Sequence, residues 1–402
     1  MNPRHASFRS LPAPGHARSH RTHRIRRAAA LTATAMLAFV VAGAATAYTT
    51  LQGNITSAQV EHLLGDRPPR PSPNPTDPNA GTPVNILVIG SDTRAGNEEY
   101  GIVPGERSDT TIVLHISADR SRVELVSIPR DSLVDIPECM RSDGTTSRAR
   151  SDAMFNEAFA IGAESGQVSD GAVCVQRTVE ANTGVFLHHF LVVDMNGFTK
   201  MVDAIGGVSM CIPNDIESPL ADLHLTAGQQ TLDGRNALAF ARARTGRGLT
   251  GSDLSRIARQ QELLAATART VLGMNVLTSV PELLRFLDAT TESLTVSSGI
   301  GKLPDMAGLA YSVRAIRAED ITFMTIPIRT APTNRNRVVW TEDAAQVWAN
   351  IVADVPMTTG LFPETPVVTP SPGATDAPVQ PAPTRTPGIE PFTPADVTSV
   401  CG

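Results

Sequence analysis

Lysine is almost absent from this 402-residue chain: of its 34 basic residues, only Lys200 and Lys302 are not arginine. Such wholesale replacement follows from a GC-rich coding bias, so a single arginine carries little information. The net charge is -6, which argues against general nucleic-acid binding, because affinity for a phosphate backbone needs a broad basic surface. Aromatic residues make up only 4%, too few for base-stacking platforms. Cysteine is limited to Cys139, Cys174, Cys211 and Cys401, in no CxxC or His-linked spacing that would hold zinc. The chain also lacks an internal repeat, a nucleotide P-loop and a GxSxG elbow, which removes the chemistries tied to those motifs.

What the chain does have begins with a basic leader. Arg18, Arg21, Arg24, Arg26 and Arg27 fall in the first 27 residues, which contain no acid, and an uncharged run from Ala28 to Tyr48 follows. That run is long enough to cross a bilayer, and retention of positive charge on the cytoplasmic side places the rest of the chain outside. Ala45-Thr46-Ala47 resembles a signal-peptidase site, so a cleaved export signal is the alternative; the length of the apolar run favours the retained anchor. Either way the body is exported, where disulfides suit an even set of cysteines. Their pairing is open, and Cys401, beyond a flexible tail, could remain unpaired.

The expected organisation is a basic cytoplasmic tail at 1–27, a membrane helix at 28–48, a proline-rich stalk at 49–83, one α/β domain at 84–355 and a Pro/Thr-rich disordered tail at 356–402. The stalk opens with a possible short helix, SAQVEHLL. Within the domain VNILVIG, from Val84, reads as a buried strand, an unbroken apolar run closed by Gly90. Asp92 and Arg94 follow at its carboxyl end, where open α/β sheets bind ligands. TIVLHIS and VELVSIP read as two more strands joined by a hairpin turn at Asp119 to Arg122. Asp109 with Arg107, and Asp131 with Arg130, repeat the polar types of Asp92 with Arg94. One such pair is usually a surface ion pair of little worth. Three at strand ends suggest carboxylates holding a hard divalent cation while arginines hold phosphate oxygens.

The densest cation runs from Leu238 to Leu263 and contains Arg242, Arg244, Arg247, Arg256 and Arg259. A helix is expected from Gly251, with Asp253 near its start, where a carboxylate suits the helix dipole. Asp253, Arg256 and Gln260 share one face of it. Arg242 and Arg244 would share a face of an extended segment instead. Guanidinium forks converging from two elements suit a diphosphate, although an arginine run on a helix is more often a solvated face. Asp152 to Ala163 reads as a helix with Met154, Phe155 and Phe159 clustered at helical spacing. Such a stripe is usually core, and the functional alternative is a pocket wall for a long apolar ligand. His188 and His189 lie on opposite sides of a strand and cannot both face one metal.

With these residues in order, the chain resembles the LytR-CpsA-Psr family of cell-wall glycopolymer ligases, of the actinobacterial type. The resemblance rests on NILVIGSDTR, RSDTTIVLHIS, VELVSIPRDS, FNEAFAIGA, VDMNGFTKMVDAIGGV, LTAGQQTLDGRNALAFARAR and DLSRIARQQ, and its motif core runs over 84–272. It implies a central mixed β-sheet flanked by helices around a hydrophobic lipid tunnel, with Met154, Phe155 and Phe159 in the tunnel wall. It implies transfer of a glycopolymer from a polyprenyl diphosphate carrier to a peptidoglycan acceptor as a phosphodiester. Asp92 and Asp109 resemble the family's Mg²⁺ carboxylates, and Arg107, Arg130, Arg242, Arg244, Arg256 and Gln260 its diphosphate-binding set, with Arg94 and Arg259 as neighbours. Phe240 stands where members often carry Tyr, and Asn97 to Glu106 lengthens the loop between the acidic motifs. The base that takes the acceptor proton is Asp92 or Asp253. The rival readings are a prenyl diphosphate pyrophosphatase and a non-catalytic protein that binds lipid-linked glycan.

Overall fold

The computed structural model describes residues 16–72, 81–91, 108–273, 287–291, 294–361 and 390–394. Asp92, Arg94, Arg107, Cys401, the Asn97 to Glu106 loop and most of the tail lie outside the described residues. The chain divides into two units, residues 1–50 and 51–402. Helix α1 (His16–Asn54) includes a stretch long and apolar enough to cross a membrane.

In chain order the elements that follow are β1 (Thr56–Ala58), β2 (Val84–Ser91), β3 (Ser108–Ile116), β4 (Val123–Ser127), β5 (Leu133–Ile136), β6 (Arg150–Met154), α2 (Glu157–Ala163), α3 (Val168–Thr183), β7 (His189–Asp194) and α4 (Met195–Ala204). Next come β8 (Val208–Ile212), β9 (Ile216–Ser218), β10 (Leu223–Leu225), β11 (Gly228–Leu232), α5 (Gly234–Arg242) and α6 (Asp253–Gly273). The described elements end with β12 (Leu294–Ser297), α7 (Leu303–Ser312), β13 (Ile321–Thr325), β14 (Ile328–Ala331), β15 (Asn334–Trp340) and α8 (Glu342–Val352).

Seven strands form a mixed sheet in the order β1-β12-β7-β2-β3-β4-β13. β1 with β12, β7 with β2, and β4 with β13 are parallel; the other neighbours are antiparallel. The unbroken apolar run of β2 arises because both faces of the sheet are covered. Leu87 and Ile89 enter a core shared with α2, α3 and α8, while Ile86 and Val88 face a second layer that includes Leu264, Ala265 and Ala268 of α6. One polar contact fixes α6 on that layer: the buried Gln261 amide donates to Ser127 Oγ (2.9 Å) and Thr325 Oγ1 (3.2 Å).

α4, α5 and the β8–β11 ribbon enclose a separate apolar cluster around Val208, Met210 and Phe240. Asp233 caps α5 by accepting from Asn236 N (2.8 Å), as its place before the helix predicts. The loop from α5 to α6 passes close against β9. A Cβ at Gly246 would lie 2.0 Å from Glu217 O and one at Gly248 2.2 Å from Asp215 O, and both have positive φ, so only glycine fits either place.

The structure corrects several expectations. The stretch 49–83 is not simply a stalk: Leu51, Ile55, Val60, Leu63 and Leu64 are buried, and SAQVEHLL supplies β1 and a 3-10 turn at Glu61–Leu63 instead of a helix. Its few apolar residues fill the sheet's edge, a tertiary role that local composition hides. The helix read over Asp152 to Ala163 is the end of β6 followed by α2, because residues 150–154 pair with β5. In the tail, Phe392 is 2% exposed, exchanges backbone hydrogen bonds with Phe323 (2.8 and 3.0 Å) and stacks on its ring. A single aromatic anchor is invisible in Pro/Thr-rich composition. Cys139 pairs with Cys174, and Cys211 is also disulfide-bonded.

Candidate functional site

The site forms where β3 begins, β4 has just ended and α6 starts. Asp109 is the second residue of β3, beside a register shift at Gly90/Ser91 that re-aims the end of β2. Arg130 follows β4 by three residues. Its Nη1 donates to Asp109 Oδ1 (2.6 Å), whereas its sequence neighbour Asp131 is 3.8 Å away. The pairing is therefore between strands, not between adjacent residues as the sequence suggested.

Asp253 is the hub. Its Oδ1 accepts from Arg244 Nη2 (2.9 Å), forms an ion pair with Arg256 Nη2 at 2.7 Å and lies 3.6 Å from Arg130 Nε. The Arg256 contact is the helical i, i+3 pair expected from spacing. The glycine-bearing loop brings Arg244 back onto the start of α6. Arg256 also reaches β3, with Nη1 3.9 Å from Asp109 Oδ1. Three guanidiniums from three elements thus surround one carboxylate.

Among the described residues several buried polar atoms in this cluster have no hydrogen-bond partner: Nε of Arg130, Arg244 and Arg256, Asp253 Oδ2 and Ser108 Oγ. A buried donor without an acceptor costs about 1–3 kcal/mol. Burial works to lower the Arg130 guanidinium, but the hydrogen bond and charge of Asp109, with Asp253 and Asp131, hold it above its ordinary value. Arg256 is lowered, first by burial and then by the like charges of Arg130 and Arg244, against the attraction of Asp253 and Asp109.

Arg242 and Arg244 line a groove of about 580 Å³ between one face of α5 and the Ser218 to Asp222 turn, with Leu220, Ala221, Leu238 and Ala239 on its walls. Arg259 and Gln260 stand apart from the cluster. Arg259 donates to the carbonyls of Phe240 and Ala243, and Gln260 Nε2 to Ala241 O (3.2 Å), so both brace the end of α5 that carries the Arg pair. Met154 is half-buried, while Phe155 and Phe159 are 1% and 0% exposed in the main core. Among the described residues the groove beside Arg242 and Arg244 is lined by neither phenylalanine. His188 and His189 make separate contacts, with Asn85 N and Ser297 Oγ.

Asp109 suits a hard cation in part. Its described arginine contacts are made through Oδ1, and its side chain is 32% exposed. Among the described residues no group of three or more His, Cys, Asp or Glu could hold a metal alone. Mg²⁺ needs only one or two carboxylates when substrate phosphate and water complete its shell, and Asp109 could serve as one of them.

Arg337 was missed from sequence. It lies on β15, far along the chain from the motifs, and its Nη1 is 3.7 Å from Asp131 Oδ1. The NRNR run was its only signal.

The profile of the LytR_cpsA_psr family matches residues 47–352. The cell wall biosynthesis protein LcpA of Corynebacterium glutamicum is 30% identical over 264 residues, covering 61% of this chain and 50% of that protein. LcpB of the same organism, called a probable cell wall biosynthesis protein, is 31% identical and covers 66% and 60%. The chain thus spans between half and two thirds of the length of these relatives. The polyisoprenyl-teichoic acid–peptidoglycan teichoic acid transferase TagU of Oceanobacillus iheyensis is 34% identical over 204 residues, 51% of this chain and 56% of that protein. Among solved structures, protein gbs0355 of Streptococcus agalactiae superposes with a TM-score of 0.53 at 21% identity, covering 68% of this chain and 87% of that one. That likeness shows the shared fold.

Proposed function

This chain belongs to the LytR_cpsA_psr family, and on that premise we propose that it transfers a glycopolymer from a polyprenyl diphosphate carrier to a peptidoglycan hydroxyl, leaving a phosphodiester. The observation that carries this reading is the set of partnerless Nε–H groups on Arg130, Arg244 and Arg256, converging around Asp253. A diphosphate supplies the missing acceptors, several at once and in the planar geometry that guanidinium forks match. Asp92 and Arg94 with Arg107 complete the proposed set on the family pattern.

In the reaction the acceptor oxygen forms a bond to the phosphorus that bears the glycan. The bond from that phosphorus to the bridging oxygen breaks, and polyprenyl monophosphate leaves with the electron pair. The hydroxyl proton passes to a carboxylate. Asp253 Oδ1 is held by Arg244 and Arg256 while its buried Oδ2 has no partner among the described residues, so Asp253 stands beside Asp92 as a candidate for that carboxylate. Arg130, Arg244 and Arg256 stabilise the charge that grows on the leaving phosphate, which is most of what phosphoryl transfer asks of a protein. Mg²⁺ on Asp109 and Asp92 would neutralise further charge on the phosphates. α1 would anchor the chain beside its lipid-borne donor, with the catalytic unit outside.

The test is reconstitution of the purified chain with a polyprenyl diphosphate oligosaccharide, a peptidoglycan oligomer and Mg²⁺, read by mass spectrometry with and without chelator. A chelator-sensitive phosphodiester conjugate is expected. Release of prenyl phosphate without conjugate would make the protein a hydrolase, and tight binding without turnover a glycan-binding protein.

A further inference from the structure

We propose that the β14–β15 ribbon is a subsite for the peptide carboxylates of the peptidoglycan acceptor, an inference that rests on the transferase reading. From Ile328 to Trp340 the ribbon carries Arg329, Arg335 and Arg337 and no acid. Ile328 pairs with Trp340 and Arg329 with Val339. Because successive residues alternate faces, Arg329 and Arg337 share the face opposite Trp340. Trp340 turns inward, donating to Ser132 Oγ (3.2 Å) beside Trp348. The hold on the body thus comes from the tryptophan and from Val338 N, which donates to Asp131 O (3.2 Å). That attachment needs no arginine. Among the described residues Arg329 and Arg335, both exposed, have no ion-pair partner.

The ribbon's position follows from the order of contacts. Arg244 meets Asp253, Asp253 meets Arg130, Arg130 meets Asp131, and Asp131 meets Arg337. Arg244, which lines the apolar-walled groove, begins this series of contacts, and Arg337 of the basic ribbon ends it. In-line phosphoryl transfer needs the leaving group and the attacking hydroxyl on opposite sides of phosphorus. A groove walled by Leu220 and Leu238 suits the apolar carrier side. The arginine-bearing end then receives the acceptor, a glycan strand whose short peptides present free carboxylates, the partner that guanidinium forks recognise.

The test measures transfer by the full chain to a peptidoglycan oligomer and to the same oligomer with its carboxylates amidated. An Arg329→Gln/Arg335→Gln variant, which leaves the Asp131 contact intact, is expected to raise KM for the charged acceptor roughly five- to tenfold with kcat within about twofold. With the amidated acceptor its KM should match that of the wild type, and raised ionic strength should shrink the difference. Arg337→Gln should deepen the effect and Arg337→Lys restore part of it. An unchanged KM, or an equal rise on both acceptors, would overturn the subsite. Absence of any conjugate with the wild-type chain would instead overturn the transferase reading beneath it.

Discussion

Two charge clusters occupy opposite ends of β3 and β4, and they differ in how completely they are satisfied. At the far end, the buried His115 places Nδ1 2.7 Å from Asn85 Oδ1 and Nε2 3.1 Å from Asp354 Oδ1. Arg122 joins Asp354 (2.7 Å) and Glu124 (3.3 Å), and Glu124 Oε1 accepts from Met357 N (2.7 Å). Every one of these groups has partners that fasten the sheet to the turn after α8. At the other end, three arginines keep buried N–H groups with nothing to accept them. Charge density alone does not distinguish the two. Clustered unsatisfied donors do: among the described residues Arg177 Nε and Trp348 Nε1 also lack partners but belong to neither cluster, whereas three such arginines meet around Asp253, where a ligand can supply the acceptors.

The largest effect that could break this contrast is on turnover. Arg130→Ala or Arg244→Ala is expected to lower transfer by about 100-fold or more, with circular dichroism and the folded fraction like wild type. Wild-type-like turnover by either folded variant would remove the contrast. Chelation should lower transfer strongly and reversibly on return of Mg²⁺ while leaving Tm unchanged, measured by parallel activity and melting assays. At the satisfied end the signature inverts. Glu124→Ala leaves Met357 N without its acceptor and removes one of Arg122's two carboxylate partners, so denaturant unfolding should show a loss of about 1–3 kcal/mol, with kcat of the folded protein retained.

The smallest effect is the pH response of Asp354. Burial works against its charged form, but hydrogen bonds from His115 and Ala118 N and the charge of Arg122 hold its pKa below the usual carboxylate value of 3.8. A depressed folded pKa contributes stability that is complete above the unfolded value and lost as pH falls through the folded one. Asp354→Asn should therefore flatten the decline in stability below about pH 4; an unchanged acid slope would remove Asp354 from that role.

Much of this was legible because short-range chemistry and long-range packing agreed. The apolar runs of β2, β3 and β4, the turn at Asp119 to Arg122 and the shared face of Asp253 and Arg256 all appear where the pattern placed them. What escaped is set by distant partners. Arg130 chooses Asp109 over its neighbour, and Arg259 and Gln260 turn back to brace α5. β1 and Phe392 join the sheet from segments whose composition reads as linker. Helical spacing tells which residues share a face, and not whether that face meets a ligand, a carbonyl or a core.

The most direct measurement of the central claim is calorimetric titration of a short-chain prenyl diphosphate, with Mg²⁺, into the wild-type chain and into Arg130→Ala and Arg244→Ala. The account predicts saturable binding to wild type and at least about a tenfold weakening in each variant. Equal affinity in all three would show that the partnerless arginines are not where a diphosphate binds.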